Sequence, residues 1–388
     1  MNHTGRIAIV GAGIAGLSLA ILARKQGYQV SVYEQNNQIS ALGTGITLWP
    51  NAMFVLTQMG LEKEIKDLGG MPEAMCQYSQ SGILQSRLDM KPLNDMSGFP
   101  TITILRRDLM RILARAAEKS AVDIYLNCTI STLDIELLKQ KYDLVVGADG
   151  RMNSVARQLL YSGQISPCYQ GFINIIGISQ LQKNELNNTI YDFRGGGERF
   201  GIVPVTSDLC FWAAAWVADQ DKVRPLSGWY SEMNQRFCDW HDRVQTVLAA
   251  HDPASRRCVF VHDLEPLPYW HKDNLLIIGD AAHGSLPTSG QGACQALEDA
   301  WHLYRLLLSD TEQNGNTLQG NARSECILYD FYQCRIAKTS AAQAIGRQVA
   351  RGIFSPDENS SGIKHQATVS AISAEQLSRF WMQGLEAL

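Results

Sequence analysis

The sequence predicts an α/β protein in which a parallel sheet, assembled from separated stretches of chain, is interleaved with a β-rich layer and followed by C-terminal helices. Three observations predict this. The first forty residues read strand, glycine turn, helix, strand, the unit that joins parallel neighbours. Two short runs, Asp143–Gly147 and Leu275–Ile278, have the continuous apolarity of strands covered on both faces. Between them, from about Ser166 to His262, the pattern changes to closely spaced strands separated by turn residues.

Size and composition limit what such a fold does. At about 150 residues per domain, 388 residues make two or three domains. With 45% hydrophobic and 19% charged residues, the chain is neither disordered nor held open by charge. A net charge of −4 gives no basic surplus for nucleic acid. The apolar runs are a few residues long, whereas a membrane span needs about 20. Met1–Arg6 lacks the charged and apolar regions of a secretory signal. The nine cysteines are scattered and never spaced C-x-x-C, so neither a zinc site nor a redox dithiol is expected. They read as reduced thiols of a cytoplasmic protein.

The elements follow in order. Ile7–Val10 is a buried strand, Gly11–Gly16 a turn, and Leu17–Gln26 a helix closed by Gly27. Val30–Glu34 is the next strand. Asn51–Met59 and Asp108–Lys119 read as helices. Phe172–Ile178, Thr189–Phe193, Phe200–Val205 and Leu209–Val217 read as antiparallel strands, with Gly195-Gly196-Gly197 as a hairpin turn. Gly290–Leu308 and about Ser324–Ile353 read as long helices, separated by a polar loop, Thr311–Asn321. Ser355–Gly362 breaks the second helix. Trp381, Met382 and Leu385 in the last segment are expected to cover the domain. The nucleotide domain is therefore expected in three pieces, 1–70, 100–165 and 266–354. The β-rich substrate domain takes 71–99 and 166–265, and 355–388 forms a tail.

Gly11-Ala12-Gly13-Ile14-Ala15-Gly16 fits G-x-G-x-x-G in the required context, between a strand and a helix, with acidic Glu34 ending the second strand. Gly11 allows the tight turn, Gly13 lets a pyrophosphate approach the backbone, and Gly16 lets helix and strand pack closely beside Ala15. The helix N-terminus favours phosphate. Glu34 suits ribose hydroxyls and disfavours a 2′-phosphate, which leaves NAD or FAD. Two more segments bear on that choice. One strand ends in Gly147-Ala148-Asp149-Gly150, presenting a carboxylate where ligands of open sheets bind. Another ends in Gly279-Asp280 and continues through Pro287, Gly290 and Gly292 into a long helix, an entry suited to a developing anion.

With these three fingerprints in this order, the chain resembles the single-component FAD-dependent aromatic monooxygenases, the family of p-hydroxybenzoate hydroxylase. The resemblance implies a Rossmann-like FAD-binding domain. Gly11, Gly13, Ala15, Gly16 and Glu34 would hold the pyrophosphate and ribose. Gly279 and Asp280 would contact the ribityl chain, and Asp149 and Gly150 would serve FAD and NAD(P)H. Arg106, in Arg106-Arg107-Asp108-Leu109, matches the family's arginine contact. Gly290, Gly292 and Ala293 would face the flavin pyrimidine, and Pro287 would border the place of oxygen addition. The segment Gly43-Thr-Gly45-Ile-Thr-Leu-Trp-Pro-Asn-Ala52, with Gly45 at the cofactor, and His262–Pro266 look most like the salicylate hydroxylase, urate hydroxylase and zeaxanthin epoxidase branch. Gln35 stands where a basic residue is common, and Asn153 where a small hydroxyl residue is common.

The resemblance further implies that NADH or NADPH binds transiently and reduces FAD. The second glycine cluster, Gly195–Gly201, precedes a strand and so fails as a second dinucleotide site. O2 then adds to the flavin, and the hydroperoxide gives one oxygen atom to a small aromatic or heteroaromatic substrate. Tyr191, Phe193, Arg199, Phe211, Trp212 and Trp216 are candidates for the substrate pocket, with Tyr191, Arg199 and Trp212 placed beside Pro287 in the catalytic set. Arg199 suits a carboxylate or an anionic heterocycle. His283 reads as a structural histidine, and no general base is named. Competing readings are a reductase resembling geranylgeranyl reductases, an epoxidase or Baeyer–Villiger oxygenase of a polycyclic metabolite, and a flavoprotein without turnover. A monomer or homodimer is expected.

Overall fold

The computed structural model describes residues 5–39, 44–314, 321–355 and 373–387. Met1–Thr4, Gly43, residues 315–320 of the expected loop, and 356–372 lie outside the described residues.

A six-stranded sheet carries the predicted β-α-β unit. Its strands run in the order His271–Lys272, Leu275–Ile277, Leu144–Gly147, Arg6–Val10, Gln29–Tyr33, Asp123–Tyr125. The central pairings are parallel. Val145 and Val146 are fully buried, as their apolar run requires. The helix Ile14–Lys25 packs on this sheet and against the long helix Gly292–Asn314. It is buried from Ile14 through Ala23, which explains why it has no polar stripe.

The β-rich layer is a seven-stranded sheet ordered Arg257–Asp263, Cys168–Gln180, Leu209–Val217, Glu198–Pro204, Thr189–Gly195, Ala74–Ser79, Leu84–Asp89. The hairpin turn falls at Gly196 and Gly197, both at positive φ. The early segment 74–89 joins this sheet by a parallel pairing with Thr189–Gly195. The chain thus leaves the nucleotide sheet twice to build the second one. A separate two-stranded ribbon, Gly45–Leu48 with Ile102–Leu105, brackets the first excursion.

Two helix boundaries differ from the sequence reading. The polar run after Leu308 stays helical to Asn314, and the next helix starts at Asn321 and runs to Phe354. Polar residues that are adequate helix formers continue a helix as readily as they make a loop. The tail returns as the helix Ala374–Met382, with Trp381 and Leu385 buried. Its Trp381 packs on Trp49 at a tilt, with ring centroids 4.4 Å apart. Among the described residues, no helix is long and apolar enough to cross a membrane.

Candidate active site

The fingerprint turn is fixed by steric contact. Gly11 has φ +105°, and a Cβ there would lie 2.4 Å from the carbonyl oxygen of Ala148. A Cβ on Gly16 would lie 2.1 Å from the oxygen of Gly11. Both contacts are with backbone, so neither yields by rotating a side chain. Gly13 differs: nothing lies within 4 Å of its Cβ position. That open space sits over the N-terminus of Ile14–Lys25, where the amides and helix dipole favour an anion. Glu34, buried at the end of its strand, accepts hydrogen bonds from the Ala12 amide at 2.9 Å and from the backbone and side chain of Asn36. It braces the turn.

The Gly-Asp loop completes the cradle. Gly279 packs against Ala15; a Cβ on the glycine would lie 3.0 Å from the alanine methyl. Its amide donates to Asp299 at 2.7 Å, and His283 Nε2 donates to the same carboxylate at 2.6 Å. His283 is therefore a structural group held by the long helix. Asp280 projects outward beside the helix start, where a Cβ on Gly292 would lie 3.9 Å from its Oδ1. Arg106 shares this field. Burial pushes its guanidinium pKa down, and the Asp280 carboxylate partly offsets that. The Arg106 side chain has no hydrogen-bond partner among the described residues, although its backbone amide donates to Thr44. A half-buried guanidinium without an acceptor is an unmet donor facing the cradle.

Beneath the loop lies a buried ion network. Arg335 bridges Glu298 at 2.7 Å and Asp299 at 2.8 Å, and Lys338 reaches Glu298 at 2.9 Å. Lys338 also donates to the carbonyls of Trp381 and Gln383. The last helix, the two long helices and the Gly-Asp loop are thereby joined through paired charges. Trp49 makes a second connection, donating to the Gly290 carbonyl at 3.1 Å. Pro287 opens the short turn Pro287–Ser289 just before Gly290 and is exposed.

Asp149 is placed differently from a simple ligand. Its carboxylate accepts from Ser154 Oγ and from the amides of Val155 and Ala156, capping the helix Val155–Leu160. Burial raises its pKa against those hydrogen bonds. Gly150 follows in a left-handed conformation with open space over its Cβ position.

The expected aromatic pocket requires a correction. Strand register places Tyr191, Phe193, Phe200, Ile202, Trp212 and Trp216 on one face of the seven-stranded sheet. That face is packed by Trp229, Met233, Phe237 and Val244 of two outer helices, Leu226–Phe237 and Asp242–Ala249. Tyr191 donates to the Leu186 carbonyl and Trp212 to Ser179 Oγ, and both are buried. They form the outer core. The opposite face carries Asp192, Arg194, Arg199, Gly201, Phe211, Ala213 and Ala215. Phe211 lies against Gly45, where an added Cβ would fall 2.0 Å from a ring carbon. Ala215 clusters with Leu286, the residue before Pro287. This face therefore looks onto the cofactor segments. Alternation indicates which residues share a face. The pair Asp192 and Arg194, charged at alternate positions in an apolar strand, marks the two faces as different, and the outer helices show which of them is core.

The comparisons with known proteins agree with this geometry. Residues 5–328 match the family model described as an FAD binding domain. The chain belongs to this family of FAD-dependent aromatic hydroxylases. It is 29% identical to an FAD-dependent urate hydroxylase of Mycolicibacterium vanbaalenii over 76% of this chain and 78% of that one. It is 27% identical to a 6-hydroxynicotinate 3-monooxygenase of Bordetella bronchiseptica, over 81% and 85% of the two chains. A solved structure of Klebsiella pneumoniae HpxO complexed with FAD and uric acid has the same fold, with a TM-score of 0.78 at 21% identity over 91% and 90%. The chain is thus a flavoprotein monooxygenase with FAD as its cofactor. The open space over Gly13, the unmet Arg106 donor and the outward Asp280 fit that cofactor. Among the described residues there is no cluster of three or more metal-ligating side chains.

Proposed function

We propose that this enzyme uses NADH or NADPH and O2 to insert one oxygen atom into a small aromatic or heteroaromatic substrate, bound on the inner face of the seven-stranded sheet. The observation that carries this reading is a small-residue floor, Gly201 and Ala213, bordered by Arg199 and Phe211, with Phe211 against Gly45 and neighbouring Ala215 clustered with Leu286. Phe211 offers an apolar edge to a ring, and Arg199 a cation to a carboxylate or heterocyclic anion.

FAD, bound and reduced by the nicotinamide, supplies the activation of O2 and its delivery as a single atom. The chain's own residues bind and orient it. Gly13 would open the helix N-terminus to the pyrophosphate, Glu34 would hold the ribose, and Arg106 and Asp280 would hold the ribityl chain. The first-turn amides of Gly292 and Ala293 have no intrahelical acceptor and stabilise negative charge on the pyrimidine side. Asp149 and Gly150 fix the adjoining turn, and Pro287 borders the reacting edge. Apolar Phe211, Ala213 and Ala215 exclude water from the reactive species. All nine cysteines are free thiols, which supports a cytoplasmic setting.

The test is NADH and NADPH oxidation in air by the FAD-loaded enzyme, across phenols, aromatic acids and purines, with mass detection. The expected result is stimulated oxidation with a product one oxygen atom heavier. Stimulated oxidation that persists without O2, given another electron acceptor and no oxygenated product, makes the protein a reductase.

A further inference from the structure

The substrate face contains a charged trio that the reaction chemistry does not itself require. Asp192 lies mid-strand and is 1% exposed. Its Oδ2 accepts from Arg194 Nε at 2.9 Å and Nη2 at 2.6 Å, and its Oδ1 accepts from Arg199 Nε at 2.6 Å. Burial opposes the ionised carboxylate, but the two guanidiniums outweigh it and hold the pKa below the usual range. Both oxygens are thus engaged, each by a different arginine.

This leaves Arg199 in a particular state. Its Nε is held, so the guanidinium plane cannot rotate freely. Nη1 and Nη2 have no hydrogen-bond partner among the described residues. A Cβ on Gly201 would lie 3.8 Å from Nη2, with only the Ala213 carbonyl oxygen, at 4.0 Å, otherwise near. Nη2 therefore lies over bare backbone, and together with the equally unpartnered Nη1 it forms a free edge of the kind that grips a carboxylate with two parallel hydrogen bonds. Arg194 matters through stoichiometry. Two guanidiniums against one carboxylate leave the trio with one net positive charge, and a substrate bearing one negative charge completes it.

We propose that Asp192 is a positioning residue that presents the Nη edge of Arg199 to the substrate, and that Arg194, by sharing Asp192, tunes the site to aromatic compounds with a single negative charge. This rests on the reading that substrate binds on this face.

The experiment separates position from charge, because the two give opposite signs. Asp192→Asn adds a net positive charge to the trio. If charge alone governs binding, anions bind the variant more tightly; if Asp192 positions Arg199, they bind less tightly. The probes are the matched pairs benzoate and benzamide, and nicotinate and nicotinamide. Binding is read from the absorption of oxidised bound FAD without nicotinamide, so it is independent of whether oxygen transfer occurs. The expected result is that at least one acid binds about tenfold or more tightly than its amide, as charge-assisted hydrogen bonds imply. Asp192→Asn weakens the acid by a similar factor, leaves the amide within about twofold, and retains FAD. With a turned-over acid, it raises KM and lowers product formed per nicotinamide oxidised. Should that variant fold poorly, Asp192→Glu and Arg194→Gln carry the test: each weakens the acid selectively. No preference for acids in the unmodified enzyme, or an Asp192 variant that binds acids as well or better, overturns the proposal. Acids that bind selectively but yield no oxygenated product leave the proposal standing and refute the oxygenase reading instead.

Discussion

A methyl group added at Gly16 would sit 2.1 Å from a backbone oxygen, and one at Gly13 would meet nothing within 4 Å. The first position is closed by backbone, and the second leaves room for a ligand. Gly16→Ala is expected to force the helix from its strand and to lower both the melting temperature and the FAD retained after gel filtration. Arg106 predicts the opposite dissociation of effects. Its guanidinium has no hydrogen-bonding acceptor among the described residues, and burial disfavours its charge. Arg106→Met should leave the FAD-free protein as stable or slightly more so, while FAD binds about tenfold or more weakly, measured by fluorescence titration. The fingerprint glycines were legible from sequence because their spacing is dictated by backbone contact. Asp192 was not, because its role depends on Arg194 and Arg199 meeting across a hairpin.

The two long helices and the last helix depend on one buried network. Removing Arg335 strands Glu298 and Asp299, both fully buried, without their shared cation. Arg335→Met should therefore cost about 3–5 kcal/mol, as breaking a buried pair does, measured by urea unfolding. His302 lies in the same field. Burial first, and the Arg335 charge second, push its pKa from 6.5 down to about 4. The folded state thus resists a proton that the unfolded chain accepts. The corresponding stability is complete above about pH 6.5 and is lost as pH falls toward about 4. The urea midpoint should fall through this window, and His302→Gln should flatten that slope. A midpoint that stays level in the unmodified protein contradicts this. Element types were legible where apolar periodicity was strong, as in Leu209–Val217. The helix end at Asn314 was not, since polar residues serve a solvated helix as well as a loop.

At the scale of the molecule, one chain builds two sheets by leaving the nucleotide sheet and returning to it. The class was legible from the change between continuous and alternating apolarity. Which face of the second sheet turns to the cofactor was not. Alternation grouped Tyr191 with Phe193, but only the outer helices decide that this aromatic face is core. Covering that face commits the enzyme to its other one, with small residues, one aromatic and three charges. Widening a small residue there should therefore act on substrate and not on cofactor. Ala213→Leu is expected to raise KM at least tenfold for a substrate turned over by the parent enzyme, with FAD affinity unchanged within about twofold. Loss of FAD together with substrate would place the cofactor, not the substrate, on this floor.

Joining oxygen from O2 to an aromatic ring on this face is the proposed reaction. The direct measurement is turnover under heavy-isotope O2 with FAD and NAD(P)H, and mass analysis of the product. The account predicts a product carrying one labelled oxygen atom, formed more slowly and with poorer coupling by Arg199→Gln. Nicotinamide oxidation with no label in any product would contradict it.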